Sequence, residues 1–121
     1  MNPIKIQMSE LLEYPFLISC SDGEFVGRIL ANLLENNLKV CLNFMGAESV
    51  STAFLGSLMD ILLDADFSQE YIINNIEIEG DEEDRMSRKF IFFRTLEEVV
   101  DYRRRPEFHK KIMRELMEEW D

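Results

Sequence analysis

Two different hydrophobic periods follow one another in the segment KVCLNFMGAESVSTAFLGSLMDILL, Lys39 to Leu63, with one turn between them. Its first part is a short, apolar, β-rich run that stops before Gly46, which is typical of a buried central strand. Its second part has apolar residues at i, i+3, i+4 and i+7, the spacing of an amphipathic helix: Leu55, Leu58, Met59 and Leu62. A strand that enters a helix after a single turn predicts an α/β fold.

The segments before this unit predict two strands and a helix. PIKIQM alternates Ile4 and Ile6 with polar residues, as a half-buried strand does. YPFLIS predicts a second strand, so that both form a hairpin-like opening around SELLE. SDGEFVGRILANLLENN predicts an amphipathic helix that ends near Asn36, with Ser21 and Glu24 as its capping box.

The segments after this unit predict one strand and a helix. YIINNIEIEG supplies a strand around Ile76 and Ile78, and RMSRKFIFFRTLEEVVDYRRR favours a helix over a strand at KFIFF. The predicted apolar stripe of that helix consists of Met86, Phe90, Phe93, Leu96 or Glu97, and Val100. Four consecutive apolar residues at 90–93 are more than one stripe can bury, so part of them is expected to face the last helix or another molecule.

A final helix is predicted from Pro106 onward, because proline is favoured in the first turn of a helix. Its stripe consists of Ile112, Met113, Leu116, Met117 and Trp120. This pattern predicts a helix that docks on the core or on a second subunit. The sequence therefore leaves a homodimer open.

Charge and composition limit the classes of function. The chain has 121 residues, the length of one domain, and 24 acidic against 13 basic side chains give it a formal net charge of -11. Such a field repels nucleic acid and anionic lipid and favours basic partners or solubility, so neither direct nucleic-acid binding nor membrane binding is expected. No apolar run has the length of a membrane span and the first residues do not resemble a secretory signal, so a cytoplasmic protein is predicted.

Chemistry-bearing motifs are missing from the sequence. There is no GxxxxGK loop and no GxGxxG after a strand, and the one histidine, His109, has no partner that would form a catalytic constellation or a metal site. Cys20 and Cys41 lack CxxC spacing and are expected to be buried structural thiols. Asp60 and Asp64, at i and i+4, are interpreted as an ordinary surface pair. The sequence predicts no catalytic residue, no metal and no cofactor, and therefore no enzyme.

Hydroxyl residues gather where the helix after the central strand begins. Ser49, Ser51 and Thr52 lie at this helix start, where a side-chain oxygen can cap the unpaired backbone N–H groups. The same N–H groups and the helix dipole favour an added phosphate. Simple capping and a phosphoacceptor or anion site are both consistent with the pattern.

The order of these segments resembles the STAS superfamily, the domains shared by sulfate transporters and anti-sigma factor antagonists, and its uncharacterised STAS-like branch most of all. The similar positions lie between about residues 20 and 80 and are LNF, Gly46, Val50, STAF and Leu55. The resemblance implies an α/β domain over 1–121, with a STAS-like small mixed β-sheet covered by helices at about 1–80. A helical C-terminal extension would follow at about 81–121.

The resemblance also implies a non-catalytic regulatory module that binds another protein. Its partner surface would comprise Ser49, Ser51, Thr52, Ser57 and, if exposed, Phe54, and its phosphoacceptor would be Thr52 or Ser51. The chain departs from the phosphorylation-switched antagonists at two places, where Ser51 replaces an Asp and Phe54 a Gly. It departs from the STAS-like branch at two others, where Asn43 replaces the Asp of the strand and Ser57 an acidic residue of the helix.

Acidity suggests an alternative function. The segment around EIEGDEED would form an acidic face made of Glu77, Glu79, Asp81, Glu82, Glu83 and Asp84. Such a face is either ordinary solvated surface or an imitation of a phosphate backbone. In the second case the protein would be an acidic inhibitor that occupies the basic groove of a nucleic-acid-handling protein.

Overall fold

Short strands alternate with longer helices along the chain. The computed structural model describes residues 2–80 and 87–118. In chain order the elements are β1 (Ile4–Gln7), α1 (Met8–Leu12), β2 (Phe16–Leu17), α2 (Cys20–Glu35), β3 (Val40–Asn43), β4 (Ser49–Val50), α3 (Thr52–Asp64), α4 (Gln69–Asn75), β5 (Ile76–Glu79), α5 (Arg88–Arg103) and α6 (Pro106–Glu118).

β3 is the central strand, with β1 on one side and β5 on the other. Val40 and Leu42 are fully buried, which confirms the prediction of a buried central strand. A second, two-stranded sheet pairs β2 with β4. Each strand pair within residues 2–80 and 87–118 is parallel, as expected where helices connect the strands, whereas a mixed sheet was predicted.

The predicted opening hairpin is wrong. β1 and β2 belong to different sheets, and SELLE forms most of the short helix α1 between them. The predicted cap of α2 is also displaced, because Ser19, not Ser21, accepts a hydrogen bond from the backbone N–H of Asp22 at 3.1 Å. Both serines suit a helix start, and the residue at which the chain leaves the strand decides between them.

α2 and α3 approach each other closely through two glycines. A Cβ atom at Gly23 would overlap the carbonyl oxygen of Phe54, and one at Gly27 would lie 2.9 Å from Cβ of Ile61. The helices can pack this tightly because both glycines lack a side chain. Gly23 and Gly27 therefore set the spacing between the two helices that carry the site described below.

α5 is a helix, as predicted, and two residues of its predicted stripe are buried, but Phe92 is buried in place of Phe90. Phe92, Leu96 and Val100 join the hydrophobic core, and Phe90 is 53% exposed. Period alone could not choose among four adjacent apolar residues, and packing against α3 selects Phe92. Met86 of the predicted stripe lies outside the described residues. α5 contributes to the hydrophobic core, so the helical segment predicted at about 81–121 includes a helix that packs with residues 2–80.

α6 contributes nothing to the core. Within Pro106–Glu118 no residue is buried, and Trp120 of the predicted stripe lies outside the described residues. The first turn of α6 is held by Phe108. The centroid of its ring lies 5.6 Å from the ring centroid of Tyr102 and 5.7 Å from the guanidinium carbon of Arg103. Among the helices of the described segments, none is both long enough and apolar enough to cross a membrane.

Candidate functional site

Two strand-to-helix joints meet at one edge of the molecule. β2 and β4 are parallel neighbours, and each is followed almost at once by a helix, α2 or α3. The backbone N–H of Ser51 donates to the carbonyl of Leu17 at 2.9 Å, and the Cys20 thiol lies 3.8 Å from the carbonyl of Ala53. The positive ends of both helix dipoles therefore point to the same edge.

Ser51 caps α3. Its Oγ accepts a hydrogen bond from the backbone N–H of Phe54 at 3.0 Å, and its hydroxyl donates to the carbonyl of Ile18 at 2.9 Å. The capping interpretation of this serine is thereby confirmed. A phosphate on Ser51 would remove the donated hydrogen bond, which ties the start of α3 to the end of β2.

Thr52 is the first residue of α3 and is exposed. Ser49, in β4, and Ser57, one turn further along α3, are half-buried. Of the two hydroxyls predicted as phosphoacceptors, Thr52 is the one that protrudes into solvent. The first turn of α3 contains no acidic residue, so no carboxylate there opposes an added phosphate.

Phe54 is fully buried, so its predicted role in partner binding is wrong. The condition attached to that prediction, an exposed ring, is not met. The ring belongs to the hydrophobic core, and the backbone of Phe54 contacts Gly23 of α2. Phe54 therefore contributes to the packing between the first turns of α2 and α3.

Exposed apolar side chains line the same edge, and the sequence interpretation overlooked them. Tyr14, Phe16 and Ile18, here called the β2 apolar edge, are 40%, 44% and 52% exposed, while Leu17 between the last two is fully buried. Ile18 lies beside the start of α3, because its carbonyl accepts the Ser51 hydroxyl. The signal was present in YPFLIS, whose alternation predicts one buried and one outward row of side chains.

Tyr14 is held in place by a charged partner. Its hydroxyl donates a hydrogen bond to the Asp22 carboxylate in the first turn of α2. This hydrogen bond raises the pKa of Tyr14 above its ordinary value.

The turn at residues 44–47, on the path from β3 to β4, is fixed by hydrogen bonds to α5 and β5. Arg88 donates to the carbonyl of Ala47 at 2.9 Å, and the N–H of Phe44 donates to the carbonyl of Glu79 at 3.0 Å. Gly46 supplies the positive φ of 86° that this turn requires. These contacts fix the path from β3 to β4.

Asn43 connects that turn to β5. Its Oδ1 accepts from the N–H of Met45 at 2.7 Å, and its Nδ2 donates to Glu79 Oε1 at 3.3 Å. An aspartate, which the resemblance leads one to expect here, would lack this donor and would place its carboxylate beside Glu79. The departure from the family pattern at Asn43 thus has a local physical reason.

The acidic face is only partly described. Glu77 is exposed on β5, whereas Glu79 is half-buried and lies 3.6 Å from the ammonium of Lys5. Asp81, Glu82, Glu83 and Asp84 lie outside the described residues. Of the two described acids, Glu77 is the one that presents its charge to solvent.

Asp60 and Asp64, the acidic pair of α3, have a structural role. Asp60 and Asp64 both accept from Arg103, at 3.0 and 2.9 Å. Burial lowers the pKa of Arg103, but the hydrogen bonds to the two aspartates outweigh it and raise the pKa above its ordinary value. Within residues 2–80 and 87–118, no group of three or more His, Cys, Asp and Glu residues is arranged to hold a metal ion.

The two thiols differ. Cys41 is buried in β3, and burial raises the pKa of its thiol above the ordinary value, with Glu79 adding to the effect. Cys20 is exposed, so the prediction of a buried thiol is confirmed for Cys41 and wrong for Cys20. Neither cysteine forms a disulfide.

Comparison of the chain with family models, with curated proteins and with solved structures found no match. The STAS-like resemblance accordingly rests on the sequence positions named above. The function is inferred from the geometry of the β2–β4 edge.

Proposed function

We propose that the protein is a non-catalytic regulatory module of STAS type that binds another protein through the edge where α2 and α3 begin. The surface consists of the β2 apolar edge together with Thr52, flanked by Ser49 and Ser57. A cytoplasmic location is part of the proposal, because both thiols are free.

The observation that carries the proposal is the position of Thr52, exposed and next in sequence to Ser51, whose hydroxyl bonds to the carbonyl of Ile18 in the β2 apolar edge. Phe16 and Ile18 are about half exposed although Leu17 between them is fully buried. Exposed aromatic and aliphatic side chains that cluster on one edge are typical of protein–protein contacts. Binding would remove this apolar area from water, which contributes about 25 cal/mol per Å².

Thr52 gives the surface a switch. A phosphate on its hydroxyl adds about -1.5 to -2 charge at pH 7. The start of α3 tolerates that charge, because the helix dipole favours an anion there and Ser51 already caps the helix. A partner that had buried the threonine would instead face the cost of desolvating a dianion, so phosphorylation ends binding.

The acidic-inhibitor alternative rests on the charge of the whole chain, -11, and on the solvent-facing carboxylate of Glu77. It differs from the main proposal in its response to salt. Contacts between an acidic face and a basic groove weaken steeply as ionic strength rises, whereas apolar contacts do not.

Affinity capture with matched variants tests the proposal. Tagged wild type, Thr52→Ala, Thr52→Glu and Phe16→Ala are used to recover proteins from native lysate at low and high salt, with quantitative mass spectrometry as the readout. Asn74→Glu is the control for an added charge on an exposed site, and Phe90→Ala is the control for the loss of an exposed ring.

The expected result is a partner recovered at both salt concentrations by wild type, Thr52→Ala and both controls. Its recovery falls about 10-fold or more with Phe16→Ala and Thr52→Glu, as for residues at the centre of an interface. Equal recovery by Thr52→Glu and wild type would overturn the switch. Loss of every partner at high salt, with a nucleic-acid-handling protein recovered at low salt, would favour the acidic inhibitor.

A further inference from the structure

α6 carries an apolar stripe that no described part of the chain covers. Ile112, Met113, Leu116 and Met117 are 38%, 59%, 48% and 69% exposed, although they recur at the spacing of one helical face. The helix is fastened at its first turn, where Phe108 contacts α5. The stripe therefore lies beyond the anchored end, on the part of the helix that is free to meet another molecule.

The order of residues in α6 indicates what covers the stripe. Counted outward from the midpoint between Arg114 and Glu115, apolar residues meet apolar residues: Met113 corresponds to Leu116 and Ile112 to Met117. Basic residues correspond to acidic ones in the same count, Lys111 to Glu118 and Arg114 to Glu115. A helix with this order is complementary to a second copy of itself that runs in the opposite direction.

Charge selects the direction of pairing. Residues 110–114 include three basic side chains and no acidic one, whereas residues 115–118 include two acidic side chains and no basic one. Antiparallel pairing sets the basic half of one helix beside the acidic half of its partner and opposes the two helix dipoles. Parallel pairing would place like charges side by side. Arg114 and Glu115 border the apolar stripe, whereas Lys111 and Glu118 lie on the opposite face of the helix, so these charges decide orientation more than affinity.

The charge distribution along α6 disfavours an anionic membrane as the surface that covers the apolar stripe. A helix that lies on an anionic bilayer carries basic residues along its whole polar face. In α6 the second half of the helix is acidic, and the chain as a whole has a charge of -11.

We propose that α6 is a dimerisation helix that pairs with α6 of a second copy in antiparallel orientation, with Met113 of each copy against Leu116 of the other. The contact is isologous, so it closes as a two-fold dimer and does not extend into a filament. Within the described helix the two copies overlap over residues 111–118, about 12 Å, and the contact is independent of the proposed partner surface.

Sedimentation velocity over roughly 1 to 200 μM protein tests the dimer, since contacts of this size give concentration-dependent association. Wild type should shift from one to two chain masses of 14.3 kDa as concentration rises. The double variant Met113→Lys, Leu116→Lys should stay monomeric. Its thermal unfolding, followed by circular dichroism, should match that of wild type, because α6 contributes nothing to the core. Met45→Lys, at a methionine of similar exposure (62%) outside α6, should dimerise like wild type.

Disulfide trapping tests the orientation. In a Cys20→Ser background, chains with Met113→Cys and chains with Leu116→Cys are mixed and oxidised. Antiparallel pairing gives mainly the mixed disulfide, because position 113 of one copy faces position 116 of the other.

Three results would overturn the proposal. They are a wild-type monomer over the whole concentration range, a dimer that persists in the double variant, and trapping of Met113→Cys mainly with itself. Monomeric wild type that binds phosphatidylserine vesicles, with binding lost in the double variant, would assign the stripe to a membrane instead.

Discussion

At the scale of single residues, Gly23 has the least room for an added Cβ among the glycines of the chain. Because an added Cβ would overlap the carbonyl oxygen of Phe54, Gly23→Ala must push α2 and α3 apart. We expect this substitution to lower the free energy of unfolding by about 2 to 3 kcal/mol, the cost of overpacking a core. Urea denaturation measures it.

Gly56→Ala is the matched control for Gly23→Ala. Gly56 lies within α3, and a Cβ there would have no atom within 4 Å. Replacing a helical glycine by alanine where the added Cβ has open space should raise the free energy of unfolding by up to about 1 kcal/mol. Equal effects of the two substitutions would contradict the close packing described for α2 and α3.

Asn43 gives a residue-scale prediction that depends on pH. Asn43→Asp replaces the amide that donates to Glu79 by a second carboxylate, so the pKa of one of the two carboxyl groups rises in the folded state. We expect a loss of about 1 to 2 kcal/mol at neutral pH. A raised folded-state pKa lowers stability above the unfolded pKa, so the loss should shrink as pH falls through the raised value.

Urea denaturation of Asn43→Asp at several pH values, with the exposed Asn74→Asp as control, tests this prediction. The control should change stability little at any pH. A loss in Asn43→Asp that is the same at neutral and at acidic pH would mean that charge repulsion with Glu79 is not its cause.

At the scale of elements, the two neighbouring hydroxyl residues at the start of α3, Ser51 and Thr52, differ in their contribution to stability. Ser51→Ala removes both the cap to Phe54 and the hydrogen bond to Ile18 and should cost about 1 to 2 kcal/mol. Thr52→Ala should change stability by less than about 0.5 kcal/mol, as is usual for surface substitutions. Thermal unfolding compares the two variants, and a larger effect at Thr52 would contradict the capping assignment.

Arg103 links three helices, because it lies on α5, bonds to Asp60 and Asp64 of α3 and contacts Phe108 of α6. Arg103→Ala should speed amide hydrogen exchange in the first turns of α6 and lower stability by about 1 to 2 kcal/mol. Arg94→Ala, which breaks an exposed pair with Glu98 within one helix, should cost at most about 0.5 kcal/mol. Equal exchange in the two variants would show that Arg103 does not anchor α6.

At the scale of the whole molecule, the sequence could predict those elements whose hydrophobic pattern admits one solution. Val40 to Leu42 form a short continuous apolar run between an Asn pair and Gly46, which favours a buried strand, and the spacing from Leu55 to Leu62 fits a helix buried on one side. The run at 90–93 admits several helix faces. Contact with α3, which lies far away in sequence, selects Phe92.

Other parts of the fold and of the site depend on pairing that leaves little mark in sequence. β4 is two residues long, and it is a strand only because its backbone bonds to β2. Ser51 and Thr52 are alike as residue types, and the geometry at Ile18 is what assigns one to the cap and leaves the other exposed. Phe54, by contrast, lies four residues before Leu58 and eight before Leu62, so the helical period itself places its ring on the buried face of α3.

Site-specific photo-crosslinking in cells tests the central claim most directly. A photoreactive amino acid is placed at Ile18, beside Thr52, and in a parallel experiment at Ile73, an isoleucine of α4 with a similar exposure of 47% against 52%. The proposed function predicts one protein crosslinked from position 18 and not from position 73, and loss of that crosslink when Thr52→Glu is added. Equal crosslinking from both positions, or a crosslink that persists with Thr52→Glu, would contradict it.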